Sequence, residues 1–147
     1  MINRFKVSPT VTAGAYSAND VVGGLLTFYG FGNGQIQSVR VSDKAAQNVA
    51  YFLVLFESVP TTIADNDTFD IADADIVNIC AILSLPTANR TAFTDNVVTI
   101  TTYTKDNGQY IRSVESSGNI YGMLYTTGTP TYAATTDISV VLQADTV

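Results

Sequence analysis

The sequence lacks histidine and tryptophan altogether and contains a single cysteine, Cys80. Without histidine, the chain cannot form a Ser-His-Asp or Cys-His catalytic arrangement, and zinc sites built on histidine or on several cysteines are excluded as well. One cysteine also rules out an internal disulfide. Because Cys80 lies in the apolar run VNICAIL, we interpret it as a small buried hydrophobic residue.

Basic residues and strong helix formers are also scarce. The chain has three lysines and only two glutamates, whereas β-branched and aromatic residues are plentiful, which is the composition of an all-β protein. Seven basic residues against 13 acidic ones give a net charge of −6. Such a protein is repelled by nucleic acid and by anionic membrane surfaces, so we predict neither as a partner.

Long hydrophobic runs are absent too. VAYFLVLF is far too short to span a membrane, and the N-terminal MINRFKVSPT lacks the apolar core of a signal peptide. These features favour synthesis and folding in a cytosol.

The length of 147 residues suits one domain with a sizeable core. Residues 1–8 form a predicted N-terminal arm around Arg4, Phe5 and Lys6, and residues 9–147 form the folded domain. Turn residues separate the candidate strands, which are residues 9–13, 20–29, 35–42, 49–59, 79–85, 97–103, 109–114, 119–126 and 137–144. About eight or nine short strands predict a single-domain, jelly-roll-like β-sandwich.

Three local patterns refine this prediction. The pair Gly23-Gly24 indicates a bend, or a point where another backbone comes close. In residues 35–42 the apolar side chains change parity, and a β-bulge near Gln37-Ser38 would restore a single inward face. The dipeptide Asn107-Gly108 predicts a two-residue hairpin turn.

The segment of residues 49–59 is apolar at successive positions rather than at alternate ones. A strand of this kind is covered on both faces. Either a loop of the same chain or a partner subunit must therefore cover the face that does not meet the core. For the second alternative, the predicted subunit interface consists of Tyr51, Leu53 and Leu55.

A glycine-rich stretch, YGFGNGQ, raises the possibility of a phosphate site. Its glycines, Gly30, Gly32 and Gly34, do not have the spacing of a dinucleotide fingerprint, and a strand-like segment rather than a helix follows them. No Lys-Ser/Thr pair follows either, which excludes a P-loop. We therefore interpret the stretch as the turn of a β-hairpin, in which glycine permits positive φ.

Acidic side chains are concentrated in residues 65–75. Read as an EF-hand beginning at Asp65, this segment has Phe69 at the fifth position and Asp70 at the sixth, so the pattern fails. It is interpreted as a solvated acidic loop whose side chains cap turns, with a calcium site of another kind as the alternative. The three lysines lie in polar stretches, which disfavours a Ser-Lys pair. We predict no catalytic residue, no cofactor and no metal ligand.

Three phrases, SPTVTAGAYSANDVVGGLLTF, IQSVRVSDKAAQ and TPTYAATTDISVVLQA, resemble a group of small virion proteins of tailed bacteriophages. The resemblance is to capsid decoration, or cement, proteins. It implies an all-β, commonly jelly-roll-like fold, a homotrimer, and binding to the outer surface of the capsid at junctions between its hexameric or pentameric units. The implied partners are the major capsid protein and other copies of the chain, after synthesis in the host cytoplasm.

The resemblance transfers no functional residue, so the candidate contacts come from the chain itself. Arg4, Phe5 and Lys6 are the predicted capsid contacts if residues 1–8 extend as an arm; the alternative is a frayed terminus. The alternative functions are a head-fibre base, a neck or tail protein, or a carbohydrate-binding module. The last is less favoured because the chain has no tryptophan to stack on sugars.

Overall fold

A computed structural model describes all 147 residues and contains ten β-strands. The strands are β1 (Ile2–Val7), β2 (Val21–Phe28), β3 (Asn33–Asp43), β4 (Tyr51–Phe56), β5 (Ile79–Leu85), β6 (Arg90–Ala92), β7 (Val97–Thr102), β8 (Tyr110–Arg112), β9 (Ile120–Thr126) and β10 (Ile138–Thr146). Two short 3₁₀ helices span Asp73–Asn78 and Thr87–Asn89. No helix has the length and apolarity needed to cross a membrane.

The strands form two antiparallel sheets that pack against each other. Sheet I has the order β1-β10-β3-β7-β6, with β8 paired to β3, and sheet II has the order β2-β9-β4-β5. Along the chain, β1 to β4 alternate between the sheets, and β9 and β10 do so again. Without the short β6 and β8, two four-stranded sheets remain in the strand order of a jelly roll. The predicted all-β, jelly-roll-like sandwich is confirmed.

The N-terminal segment is not an arm. Residues Ile2–Val7 pair with β10 along their whole length and form the outer strand of sheet I. The alternation of the segment explains this, because Phe5 and Val7 pack against the core while Arg4 and Lys6 are exposed. The rings of Phe5 and Phe31 lie 5.1 Å apart. The separation into an arm of residues 1–8 and a domain of residues 9–147 is therefore wrong.

The strand predicted for residues 9–13 is also absent. This segment connects β1 in sheet I to β2 in sheet II, so it must leave one sheet and cross to the other. It still contributes Val11 to the core, and its Pro9 lies against Gly23. A side-chain Cβ at Gly23, which has a φ of 91°, would come within 2.5 Å of Pro9. The register of β2 against β9 is irregular between Val21 and Leu25, which confirms the predicted bend at Gly23-Gly24, whereas the close neighbour at Gly23 is the Pro9 side chain and not another backbone.

The predicted bulge in β3 is present. Gln143 pairs with Ser38 and Ala144 pairs with Ile36, so Gln37 is the extra residue. The insertion brings Ile36 and Val39 onto the same inward face, where both are fully buried.

The hairpin predicted at Asn107-Gly108 does not form. β8 pairs with β3 rather than with β7, so β7 and β8 run along the same edge of β3 as two parts of an interrupted strand. The segment between them is a local turn in which the side chain of Asn107 accepts a hydrogen bond from the backbone N–H of Thr104 at 2.6 Å. The Asn-Gly dipeptide predicts the position of the turn but not which strand β8 pairs with, which is β3.

The core between the sheets contains the residues that we predicted to form a subunit interface. Tyr51, Leu53 and Leu55 are 1%, 0% and 0% exposed in a single chain. The hydroxyl oxygens of Tyr51 and Tyr132 lie 2.7 Å apart inside this core, and burial raises the pKa of both tyrosines. The interface prediction is wrong, because these three side chains have no surface to offer to another subunit.

The opposite face of β4 is covered by a loop of the same chain. Residues 57–78, here called the acidic connection, leave β4, cross the outside of sheet II and return to β5. Three of their apolar side chains pack against the cluster on the outer face of the sheet that contains Val54 and Phe56, namely Ile63, Phe69 and Ile71. The ring of Phe69 stacks on Tyr125 at 4.7 Å. Of the two alternatives for covering this strand, the loop is the correct one.

Candidate interaction surface

The two outer faces of the sandwich differ in their covering. The acidic connection lies over sheet II, whereas no segment lies over the middle of sheet I. We call this open surface the basic face and define it by the outward side chains of β1, β10, β3 and β7. Its position follows from the alternation of these strands, which sends every second side chain away from the core.

Two rows of side chains cross the basic face. In the first row, Lys6 of β1 lies opposite Val141 of β10, which lies opposite Arg40 of β3, which lies opposite Ile100 of β7. The second row consists of Arg4, Gln143, Ser38 and Thr102 in the same strand order. The face therefore combines cations, aliphatic side chains and hydrogen-bonding groups in a regular array.

Two adjacent grooves lie on this face. The first has a volume of about 430 Å³ and is lined by Arg4 and Arg40 together with Val141 and Tyr103. The second, of about 330 Å³, contains Phe93. Arg40 and Ile100 line both grooves and thus connect them. Phe93 is 59% exposed and Ile100 is 41% exposed, so apolar surface is open to solvent along this path.

The cations of the basic face have no acidic partner in the chain. The only ion pair joins the N-terminal ammonium to Asp145, at 2.6 Å. Arg4, Lys6 and Arg40 take part in no side-chain hydrogen bond, and neither groove is lined by a carboxylate. Three of the chain's seven basic residues therefore lie unpaired on one face of a protein whose net charge is −6.

The opposite side of the molecule carries the opposite charge. The acidic connection contains six of the 13 carboxylates and no basic residue. These are Glu57, Asp65, Asp67, Asp70, Asp73 and Asp75. Since the connection covers sheet II and the basic face belongs to sheet I, the chain has a charge asymmetry across the thickness of the sandwich.

Within the acidic connection, two aspartates have structural partners. Asp65 accepts hydrogen bonds from the hydroxyls of Thr12 and Tyr16 and from the backbone N–H of Gly23, each at 2.7 Å. Asp75 accepts one from the backbone N–H of Thr61 at 2.8 Å. No group of three or more acidic, cysteine or histidine side chains converges in the arrangement of a metal site.

The glycine-rich stretch forms the connection between β2 and β3. Gly30 and Gly32 have φ values of 65° and 67°, whereas Gly34 lies inside β3. The interpretation of a turn with positive φ is confirmed. The connection joins sheet II to sheet I, since β2 pairs with β9 and β3 with β10, so it is not a hairpin. Phe31, between the two turn glycines, is buried in the core.

The three predicted capsid contacts lie on opposite faces of β1. Arg4 and Lys6 lie on the basic face, and Phe5 lies on the opposite side of β1 against the core. A role for Arg4 and Lys6 in binding a capsid stays a prediction. Phe5 is half-buried and packs inside the molecule, so little of its surface is left for such a contact.

Sequence reasoning missed the central residues of the basic face, Arg40, Ile100 and Val141. A signal for one of them was present. Val141 is the single apolar residue that breaks the alternation of β10, and it is 7% exposed even though it lies on the outer face. Its two cross-strand neighbours, Lys6 and Arg40, flank it with long aliphatic stems.

Comparison with known proteins identifies no family. No protein-family model matches the chain, and no curated protein matches it.

Proposed function

We propose that this chain is a non-enzymatic structural protein of a tailed-bacteriophage virion, which binds the outside of an assembled capsid and stabilises it. The observation that carries the proposal is the open basic face, where unpaired cations lie beside exposed apolar side chains on a rigid sheet. Protein-binding surfaces combine arginine and apolar groups in this way. The jelly-roll fold, which also occurs in viral capsid proteins, and the virion-like phrases of the sequence support it.

Stabilisation would follow from mass action. A protein that binds the assembled shell but not its dissociated subunits shifts the equilibrium towards the shell. We propose a homotrimer as the binding unit, with the major capsid protein as its partner. In a trimer, three weak contacts add through their high effective concentration.

The experiment uses capsid shells of the parent phage that were assembled without this protein. Purified chain is added, the occupancy is determined by cryo-electron microscopy, and the temperature at which the shells break is measured with and without it. We expect saturable binding at many equivalent capsid positions and a higher breakage temperature. Native mass spectrometry of the free protein tests the trimer separately.

Two outcomes would contradict the proposal. Binding confined to a single vertex, or only a few copies per particle, would favour a neck, tail or head-fibre component instead. A protein that stays monomeric and does not bind shells at all would remove the support for any role in the capsid.

A further inference from the structure

We infer that the basic face is the surface that docks, and that its partner is a protein surface rich in carboxylates. This inference rests on the proposed function, since it names the side of the molecule that meets the capsid and the chemistry of the surface it meets. It is drawn from the charge and the packing of the basic face.

The cations of the basic face have no internal partners. Arg4, Lys6 and Arg40 form no ion pair within the chain, although the chain contains nearly twice as many acidic as basic residues. Folding thus leaves these cations free beside two grooves that no carboxylate lines, and Asp145, the outward carboxylate of β10, pairs with the N-terminal ammonium instead. A carboxylate brought into the first groove would meet Arg4 and Arg40, and arginine binds carboxylates through two parallel hydrogen bonds.

The same surface also contains exposed apolar side chains. Ile100 and Phe93 are 41% and 59% exposed, and they adjoin Arg40 in the second groove. A sheet face that meets only water is normally polar, whereas the fully buried part of a protein interface contains aliphatic and aromatic side chains. This composition favours a folded protein surface over a freely soluble anion.

The charge asymmetry of the sandwich favours one orientation of docking. An acidic partner attracts the basic face and repels the acidic connection on the opposite side of the sandwich. The molecule would therefore approach with sheet I towards the partner and with the acidic connection pointing outwards. Nucleic acid is the less favoured partner, because the net charge of −6 opposes it at long range and the two grooves contain only two arginines.

A binding test can be made without the capsid. Isotope-labelled protein is titrated with poly-L-glutamate and, separately, with single-stranded oligothymidylate of similar charge, and amide chemical shifts are followed. We expect poly-L-glutamate to shift the signals of residues 4, 6, 38, 40, 100 and 141, and to leave those of residues 65–75 unchanged. Raising the salt concentration from about 50 to about 200 mM should weaken this binding because the charges are exposed.

A second test uses the capsid shells. Arg40→Glu should lower the affinity about tenfold, which corresponds to about 1.4 kcal/mol, and Arg40→Gln should lower it less. The matched control is Lys44→Glu, which makes the same change in net charge at an exposed lysine that lines neither groove. Urea denaturation verifies that all three variants stay folded.

The outcomes separate this inference from the proposed function. If wild-type protein binds shells and Arg40→Glu binds them equally well, the docking surface is wrong while the capsid function stands. If shells are not bound but poly-L-glutamate shifts the basic face, the capsid function is wrong and the face recognises another acidic protein. Tighter binding of oligothymidylate than of poly-L-glutamate at equal salt would overturn the inference.

Discussion

At the scale of single residues, Asp65 shows how one carboxylate joins three distant segments. It is bonded to Thr12 and Tyr16 in the segment between β1 and β2, and to Gly23 inside β2. These contacts hold the acidic connection against the rest of the sandwich. Burial and the bond to Asp65 both raise the pKa of the Tyr16 hydroxyl, which therefore stays a donor.

We expect Asp65→Ala to lower the free energy of unfolding by about 2 kcal/mol, because it leaves several partly buried donors without their charged acceptor. Urea denaturation measures this loss. Asp70→Ala is the matched control, since Asp70 is exposed in the same connection and its side chain makes no hydrogen bond. Equal stability of the two variants would show that Asp65 is not the anchor of the connection.

Cys80 provides a prediction on pH. Burial, with a smaller contribution from the negative charge of Glu57, raises the pKa of its thiol to about 11 from an ordinary value of 9.0. At pH 8 the folded protein therefore contains about a hundredth of the thiolate of the unfolded chain, and iodoacetamide should react with it correspondingly more slowly. The rate should keep rising with pH through about 11. Cys80 is only partly buried, and reaction as fast as that of the urea-unfolded protein at pH 8 would contradict the raised pKa of its thiol.

At the scale of elements, the acidic and the apolar residues of the acidic connection have different roles. Its aspartates face solvent or accept hydrogen bonds from backbone and hydroxyl groups, while Ile63, Phe69 and Ile71 cover sheet II. The stacked rings of Phe52, Tyr125 and Phe69 run from the sheet into the connection, with centroid separations of 5.4 and 4.7 Å.

Removing one of these rings tests the covering role. Phe69→Ala should lower the free energy of unfolding by about 2 kcal/mol, less than for a fully buried phenylalanine, and should increase the binding of a hydrophobic dye. Phe93→Ala, at a 59% exposed position, is the control and should change stability by less than about 0.5 kcal/mol. A small effect at both positions would mean that the connection does not protect sheet II.

Features that depend on local sequence patterns could be predicted, whereas pairings between strands far apart in the sequence could not. The bulge at Gln37 and the alternation of β10 could be predicted from the sequence, because the inward face imposes a parity on the apolar residues. β1 and the pairing of β8 could not. Their partners, β10 and β3, lie far away in the sequence, and only the closed sheet brings these segments together.

At the scale of the whole molecule, the N-terminal strand β1 covers the edge of the C-terminal strand β10. It pairs with β10 from Ile2↔Asp145 to Val7↔Val140, so the first and last strands are neighbours in sheet I. Without β1, one edge of β10 would be exposed and Phe5 would be lost from the core.

Deletion of residues 1–7 is therefore expected to lower the urea midpoint and to cause self-association, measured by light scattering. The control is the double change Arg4→Gln and Lys6→Gln, which keeps the strand and alters only its outward side chains. We expect this variant to remain as stable as the wild type within about 0.5 kcal/mol. A truncated protein that unfolds like the wild type would restore the interpretation of residues 1–8 as an arm.

The sequence by itself determined the fold class, because a chain rich in β-branched residues with regularly spaced turns can bury its apolar side chains only between sheets. It also determined that one strand would be covered on both sides. The tertiary structure decided what covers the outer face of that strand, and it turned Tyr51, Leu53 and Leu55 inwards to the core between the sheets. It alone assembled the basic face, since Arg4, Arg40 and Val141 come together only because β10 pairs with β1 on one side and with β3 on the other.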